Sequence, residues 1–327
     1  MRSVLACIIL SCFWVDAIAV KHNDNVFTID TGIVFPEAEI INEHTARIPF
    51  KLVDHLIVIE AELLNKKGDF IIDTGSEALL LNSVHFSNEY STATVNRKSA
   101  GVLNQIEDLR EKYLQEFILN NFSLKNKRSD IIDLSHIEKT KKINLLGIIG
   151  YTVLRDYEVF IDLYLNQITL TKVNPNGDRL NKRVYAEKIT DSLHFNLKGH
   201  TIVLNGEING EGIKLALDSG AEFNQLNKKV SRRIYRNFSP ERRIKLMGAS
   251  KRTIEVITGK LHRLKFSNSI YTGPMQTIIT NLNSMNEAFG TSLDGVIGYE
   301  FLRQKRTIIN YQKEMLFFID YPIVFND

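Results

Sequence analysis

Short apolar runs, broken by Asn, Gly and Lys, organise this chain. Residues 48–82 read IPFKLVDHLIVIEAELLNKKGDFIIDTGSEALLLN, and residues 193–227 read LHFNLKGHTIVLNGEINGEGIKLALDSGAEFNQLN. Each is patterned as a hairpin feeding a third strand, with β-branched and aromatic residues inside the runs and turn formers between them. The two stretches stay in register without a gap, 145 residues apart (Asp218 against Asp73). Phe50 matches Phe195, Leu52 matches Leu197, His55 matches His200, Ile57 matches Ile202 and Asn82 matches Asn227.

A second matched block closes each half. Residues 147–170 read GIIGYTVLRDYEVFIDLYLNQITL, and residues 295–318 read GVIGYEFLRQKRTIINYQKEMLFF. The pattern predicts an apolar pair ending in Gly, a short YxxLR helical turn, and two strands joined at Asn166-Gln167 or Lys313-Glu314. Two copies are too few for a solenoid and read as two homologous domains. Between them lies VNPNGDRLNKR, rich in turn formers. The middles of the halves diverge. Residues 246–266 hold an alternating apolar run between Gly248 and Gly259, which suits a hairpin. Residues 102–119 are rich in Glu, Leu, Lys and Gln, with Ile106, Leu109, Tyr113 and Phe117 at helical spacing. Composition there favours a helix and the repeat favours strands, so both stay open at this point.

The carboxylates give the repeat its chemical content. Asp73 and Asp218 each end an apolar strand, where a charge is costly to bury uncompensated. Each is followed by a hydroxyl (Thr74, Ser219), a glycine (Gly75, Gly220) and a small residue (Ser76, Ala221). The glycines permit close approach of a neighbouring chain, and the hydroxyls can bond to the partner motif's backbone. Two such loops on a pseudo-two-fold axis bring two carboxylates together. They cannot both ionise easily, so the pair holds one shared proton. One then takes a proton from water while the other donates to a carbonyl. A third triplet, Asp30-Thr31-Gly32, is followed by bulky Ile33 and then Pro36. It belongs to an N-terminal arm or edge strand, and Asp30 is a poor catalytic candidate.

Strand-D-[TS]-G-[SA] followed by apolar-apolar-Gly, twice, resembles the retropepsin-like aspartic proteases, and most closely the exported bacterial aspartyl proteases of that group. The resemblance covers residues 48–320. It implies an all-β fold of two tandem retropepsin/pepsin-like β-barrel lobes in pseudo-two-fold arrangement, with the active-site cleft between them. Asp73 and Asp218 would be catalytic, with Thr74, Gly75, Ser76, Ser219, Gly220 and Ala221 supporting them. Ile148-Ile149-Gly150 and Val296-Ile297-Gly298 would pass beneath the loops. No cofactor and no metal is implied. The partner would be a peptide or protein substrate, and one chain would act as a monomer with both aspartates in cis. The chain departs from the pattern in lacking an identifiable flap tyrosine, and only the second half offers a glycine-bearing flap, near residues 247–258. The Ser76 hydroxyl could bond the Asp73 carboxylate and hold it ionised, leaving the proton on Asp218. The reading from another class is a pseudo-protease that binds extended peptides by strand pairing without cutting them.

Composition narrows the setting. A net charge of +3 over 327 residues gives no reason to expect nucleic acid. The basic residues Arg232, Arg233, Arg236, Arg242, Arg243 and Lys245 are interrupted by Glu241 and apolar positions, as on a solvated face. His55 and His200 lack metal-site spacing and read as polar residues beside turns. Arg155 and Arg303 read as surface or inter-strand pairing residues, and Tyr151 and Tyr299 as packing residues. Asp162, matched by Asn310, is not expected to act in catalysis. At the start, Arg2 precedes an apolar run over residues 4–15 and an Ala17-Ile18-Ala19 cleavage pattern. The expected organisation is a signal peptide over 1–19, an arm over 20–47, lobes over 48–172 and 193–327, and a linker over 173–192. Both cysteines, Cys7 and Cys12, fall in the signal segment. Ile9-Leu10-Ser11-Cys12 offers a second reading, a lipid anchor at Cys12. In either case the protein is exported, to the periplasm or beyond. Intact-mass measurement of the mature protein should find Val20 at its N-terminus; a lipid-modified Cys12 would establish the anchored form, and a retained Met1 would remove both.

Overall fold

A computed structural model describes residues 37–86, 99–100, 105–106, 110–119, 122–182, 187–247 and 253–321. The expected signal segment, Cys7, Cys12, Asp30 and Gly248 of the expected flap lie outside the described residues. The described chain is mostly β-strand with a few short helices, as the all-β pattern predicts.

Residues from the first half build one sheet. Its order is Lys51–Val53, Leu56–Leu63, Lys66–Ile72, Leu145–Ile149, Leu79–Asn82, Phe122–Ile132, Arg110–Leu119. Pairing of Glu62 with Ile118 joins the last strand back to Leu56–Leu63, closing a ring. The second half repeats the central pairings. Lys66–Ile72 runs parallel to Leu145–Ile149, as Glu211–Leu217 does to Gly295–Ile297. Leu79–Asn82 lies antiparallel to that strand and parallel to Phe122–Ile132; Asn224–Asn227 does the same with Gly295–Ile297 and Met275–Thr280. A two-stranded parallel pairing is intolerant of exposure, and these strands are buried on both faces: Leu79, Leu80 and Leu81 are each fully covered.

A third sheet takes strands from both halves, in the order Glu39–Asn42, Thr45–Pro49, Gln167–Lys172, Tyr157–Asp162, Arg306–Asn310, Met315–Ile319, Asp191–His194. At its centre Tyr157–Asp162 and Arg306–Asn310 run antiparallel, with Val159 opposite Ile309. One continuous core therefore runs from Ile59, Phe70 and Ile149 through Val159, Ile161 and Ile309 to Leu204, Leu217 and Ile297. Each such side chain, fully buried, contributes about 1.5–3 kcal/mol of apolar transfer.

Of the stretch left open between helix and strand, the described residues 105–106 and 110–119 form strand. Arg110–Leu119 pairs with Phe122–Ile132 from Leu119↔Phe122 through to Arg110↔Ile131. A helix preference of a few tenths of a kcal/mol per residue is weaker than a full ladder plus ring closure. Tight turns set two further features. Asp54 and His55 both have left-handed backbone (φ 47° and 71°), as do Asn209 and Gly210 (φ 54° and 77°), the conformation that a two-residue hairpin turn demands.

Asp162 is a structural carboxylate, as its Asn310 counterpart suggests. Its Oδ2 lies 2.6 Å from Arg306 Nη2, and its Oδ1 accepts the N–H groups of Tyr164 and Leu165 (both 3.0 Å). Arg306 also reaches Glu187 at 2.7 Å and lies over the Phe160 ring. Both Asp162 and Arg306 are buried in the shared sheet. Arg306→Met is expected to cost about 3–5 kcal/mol in urea unfolding, because it strands a buried charge. The double variant Arg306→Met with Asp162→Asn should cost less; equal losses would show that packing rather than charge pairing sets the cost.

Candidate active site

Lys66–Ile72 ends in Asp73 and Glu211–Leu217 ends in Asp218. The strand that opens each half's second matched block fixes where those ends stop: Asp73 N–H donates to Ile149 O (3.0 Å) and Asp218 N–H to Ile297 O (2.9 Å). The glycines that follow these strands, Gly150 and Gly298, lie directly under the loops. A Cβ on Gly150 would meet Ser76 O and Ala78 O at 2.5 Å, and one on Gly298 would meet Ala221 O at 2.2 Å. Tyr151 N–H donates to Ser76 O (2.8 Å) and Tyr299 N–H to Ala221 O (3.1 Å). Ile148-Ile149-Gly150 and Val296-Ile297-Gly298 thus run beneath the two loops.

The loops lock together through their hydroxyls. Thr74 N–H donates to Ser219 Oγ (3.0 Å), and Ser219 N–H donates to Thr74 Oγ1 (2.9 Å). Each hydroxyl then donates onward to the strand before the opposite aspartate: Thr74 to Leu217 O (3.3 Å) and Ser219 to Ile72 O (2.8 Å). All four groups are buried, so each bond also removes the penalty of an unpaired buried group, about 1–3 kcal/mol. The close approach this enforces needs glycine. A Cβ on Gly75 would lie 2.5 Å from the Asp218 carboxyl carbon, and one on Gly220 would lie 2.7 Å from that of Asp73.

The structure therefore brings Asp73, Thr74, Gly75 and Ser76 together with Asp218, Ser219, Gly220 and Ala221. The two aspartates are 1% and 0% exposed. Burial raises both carboxyls. Asp73 is pushed up to about 6, held back by a hydrogen bond with Asp218 and by the N–H groups of Gly75 and Ser76. Asp218 is raised well above the usual carboxylate range, by burial first and then by the Asp73 charge and hydrogen bond. A hydrogen bond between two carboxyls needs a proton on one of them, and Asp218 is the better holder. Asp73 Oδ1 accepts from Gly75 N–H (2.8 Å) and Ser76 N–H (3.1 Å), while Asp218 accepts from Gly220 N–H (2.8 Å, at Oδ1) and from the Gly75 backbone, and carries the added repulsion of the Asp73 charge. Ser76 N–H and Ala221 N–H each also reach the main-chain oxygen of their own aspartate (3.3 and 3.1 Å). Ser76 contributes to Asp73 through its N–H; its hydroxyl donates to Ala78 O (3.2 Å).

Residues 204–301 match the model of an aspartyl protease family. The match supports an aspartyl protease family for this chain. It spans the strand before Asp218, the loop itself and Val296-Ile297-Gly298. No curated protein matches the chain.

Beside the aspartyl protease match stand residues whose reach the sequence did not reveal. His55 Nδ1 donates to Glu222 O in the second half's loop (3.3 Å) and stacks on Tyr299 at 4.3 Å. His200, its repeat partner, reaches the first half: it hydrogen-bonds the Gly75 backbone and lies 3.9 Å from Glu77. Burial pushes His200 down to about 4, so it is neutral near pH 7. The register match of the two histidines was the available signal. Arg155 and Arg303 are half exposed and lie over Tyr151 and Tyr299, in keeping with a surface and packing role. Tyr311 lies edge-on to Tyr151, and its phenol is raised by burial and further by Tyr151 and the two aspartates.

Both aspartates bind protons more tightly folded than unfolded, so each stabilises the fold in acid; the Asp73 contribution is complete below about pH 4 and is lost as pH rises through about 6, and Asp218 acts in the same direction. Between pH 4 and 7 the double variant Asp73→Asn, Asp218→Asn should gain stability on the parent by on the order of 3 kcal/mol, the size of the Asp73 shift alone. Urea unfolding at both pH values measures this; a difference that does not change with pH would contradict the coupled, buried pair.

Proposed function

We propose that the chain is an aspartic endopeptidase that hydrolyses peptide bonds with a water activated between Asp73 and Asp218. The reading rests on one observation: reciprocal Thr74–Ser219 bonding holds two buried carboxyls of unequal proton affinity against each other. The aspartyl protease family match supports it. Asp73, ionised, takes a proton from water; Asp218, protonated, donates to the substrate carbonyl; the resulting gem-diol collapses with cleavage of its C–N bond as Asp73 passes its proton to the leaving nitrogen and Asp218 takes one back from a gem-diol hydroxyl. No covalent enzyme intermediate forms. The two halves act as retropepsin-like lobes over 48–172 and 193–327, with the substrate extended between them, and one chain supplies both aspartates. We further propose that the protein works after export, on the strength of its N-terminal apolar segment and cleavage pattern.

Digestion of casein or a peptide library tests the reading. Cleavage should fall at least about a thousandfold in both Asp73→Asn and Asp218→Asn, and the acid limb of kcat/KM should lie near pH 6, where Asp73 titrates. Cleavage surviving both substitutions would remove the dyad, and tight peptide binding without cleavage by the parent would establish the non-cutting binder instead.

A further inference from the structure

Charge is not spread evenly over this chain. Residues 228–265 carry thirteen Lys and Arg against two Asp and Glu, a net charge of +11 where the whole chain has +3, so everything outside them sums to −8. The basic positions that Glu241 and apolar residues interrupt along the sequence are gathered on the surface of the second half. The Tyr235 hydroxyl of helix Arg232–Tyr235 donates to Asn227 O (3.3 Å), and His262 N–H donates to Asn237 O just beyond that helix (2.9 Å). Lys228, Lys229, Arg232, Arg236 and Arg263 therefore stand on neighbouring turns, and Lys245 continues the strip along strand Phe238–Met247. All six are exposed, and none has an ion-pair partner among the described residues. The two acids of the segment are engaged elsewhere: Glu255 pairs with Arg243 (2.8 Å), and Glu241 accepts from Gln276 (2.9 Å) and lies 3.8 Å from Lys260.

The strip is seated on the candidate active site. Strands Phe238–Met247 and Thr253–Leu261 form a hairpin in which Ile244 lies opposite Val256 and Leu246 opposite Ile254. These four pack with Phe223 and Ile278, and Phe223 is the fifth residue after Asp218. Arg243 and Lys245 take the alternate positions of the strand and face the other way, into solvent. Cations gathered this densely repel one another, and an anion laid along them relieves that repulsion. A surface that docks on lipid sets apolar anchors among its cations, and single-stranded nucleic acid is held on exposed aromatic platforms. Among the described residues of 228–265 no large apolar or aromatic side chain is exposed. We propose that this strip binds acidic polypeptide, and that it draws acidic segments of protein substrates to the site beneath the hairpin. Its field also acts beyond contact, raising the encounter rate of an anionic segment at low salt.

That the bound segment belongs to a substrate rests on the proposed peptidase activity; recognition of its charge does not. The test variant replaces Lys229, Arg232, Arg236 and Lys245 by Gln, four exposed positions away from both aspartates. Binding is read by fluorescence anisotropy in the Asp218→Asn background, so that the probe is not cut. A fluorescein-labelled Glu/Gly peptide should bind at least about tenfold more tightly than its Gln/Gly counterpart at about 20 mM salt, and the preference should shrink to about twofold in the fourfold variant or at about 300 mM salt. With cleavable peptides on the parent, Glu residues flanking the scissile region should raise kcat/KM about tenfold over Gln through KM, with kcat within about twofold, and the fourfold variant should erase the difference. Equal binding of the Glu/Gly and Gln/Gly peptides, or a Glu preference that survives in the fourfold variant, overturns the proposal. Tighter binding of phosphatidylglycerol vesicles or duplex DNA than of the Glu/Gly peptide at about 150 mM salt overturns it in favour of a membrane or a nucleic acid. If the parent cleaves no peptide, the binding comparison still decides on acidic polypeptide while the peptidase reading fails separately; cleavage with no Glu preference leaves the peptidase reading standing and removes the proposal.

Discussion

Two carboxyl groups buried against each other cannot both carry charge, and the rest of the structure follows from holding them there. Each aspartate gives up water, which raises its proton affinity, and regains a few main-chain N–H groups: those of Gly75 and Ser76 for Asp73, and those of Gly220 and Gly75 for Asp218. Such an arrangement persists only if the surrounding chain leaves the two loops no other position. The crosswise Thr74 and Ser219 bonds do this within the loops. The strands ending at Gly150 and Gly298 do it from below, by filling the space a displaced loop would need. The shared sheet, with Val159 opposite Ile309, does it at longer range by fusing the cores of the two halves.

Much of this was legible because the chain states it twice. The apolar periodicity predicted the hairpins and the third strand of each half, and the constant spacing singled out Asp73 and Asp218 over Asp30, whose surroundings have no second copy. The mismatch of Asp162 with Asn310 similarly separated a structural carboxylate from the candidate pair, and its Arg306 partner supplies the physical reason. Residues 102–119 were ambiguous because the information deciding them is not local. Over Arg110–Leu119 the helical composition was overruled by pairing with Phe122–Ile132 and by a ring closure through Glu62, contacts that no window of neighbouring residues contains.

The histidines mark the other limit. His55 and His200 stood in register, so a shared role was readable, but periodicity carries no sign of which half a turn residue faces. Left-handed backbone at Asp54 and His55 turns that side chain toward the opposite loop, and the sequence DH is not a strong signature of such a turn. The ion pair of Lys141 with Glu222 was less legible still. Lys141 lies in a segment outside the matched blocks, and Glu222 is in the other half.

The inequality of the two aspartates has its origin in the sequence differences between the two loops. In a site built from two identical chains, any difference between the carboxyls must come from the proton or the substrate. A single chain carrying both copies is free of that restriction. Here Ser76 N–H reaches both the Asp73 carboxylate and the Asp73 main-chain oxygen, whereas the matching Ala221 N–H goes to the Asp218 main-chain oxygen. That difference favours the anion at Asp73 and the proton at Asp218, so the two buried carboxyls are unequal before any ligand arrives.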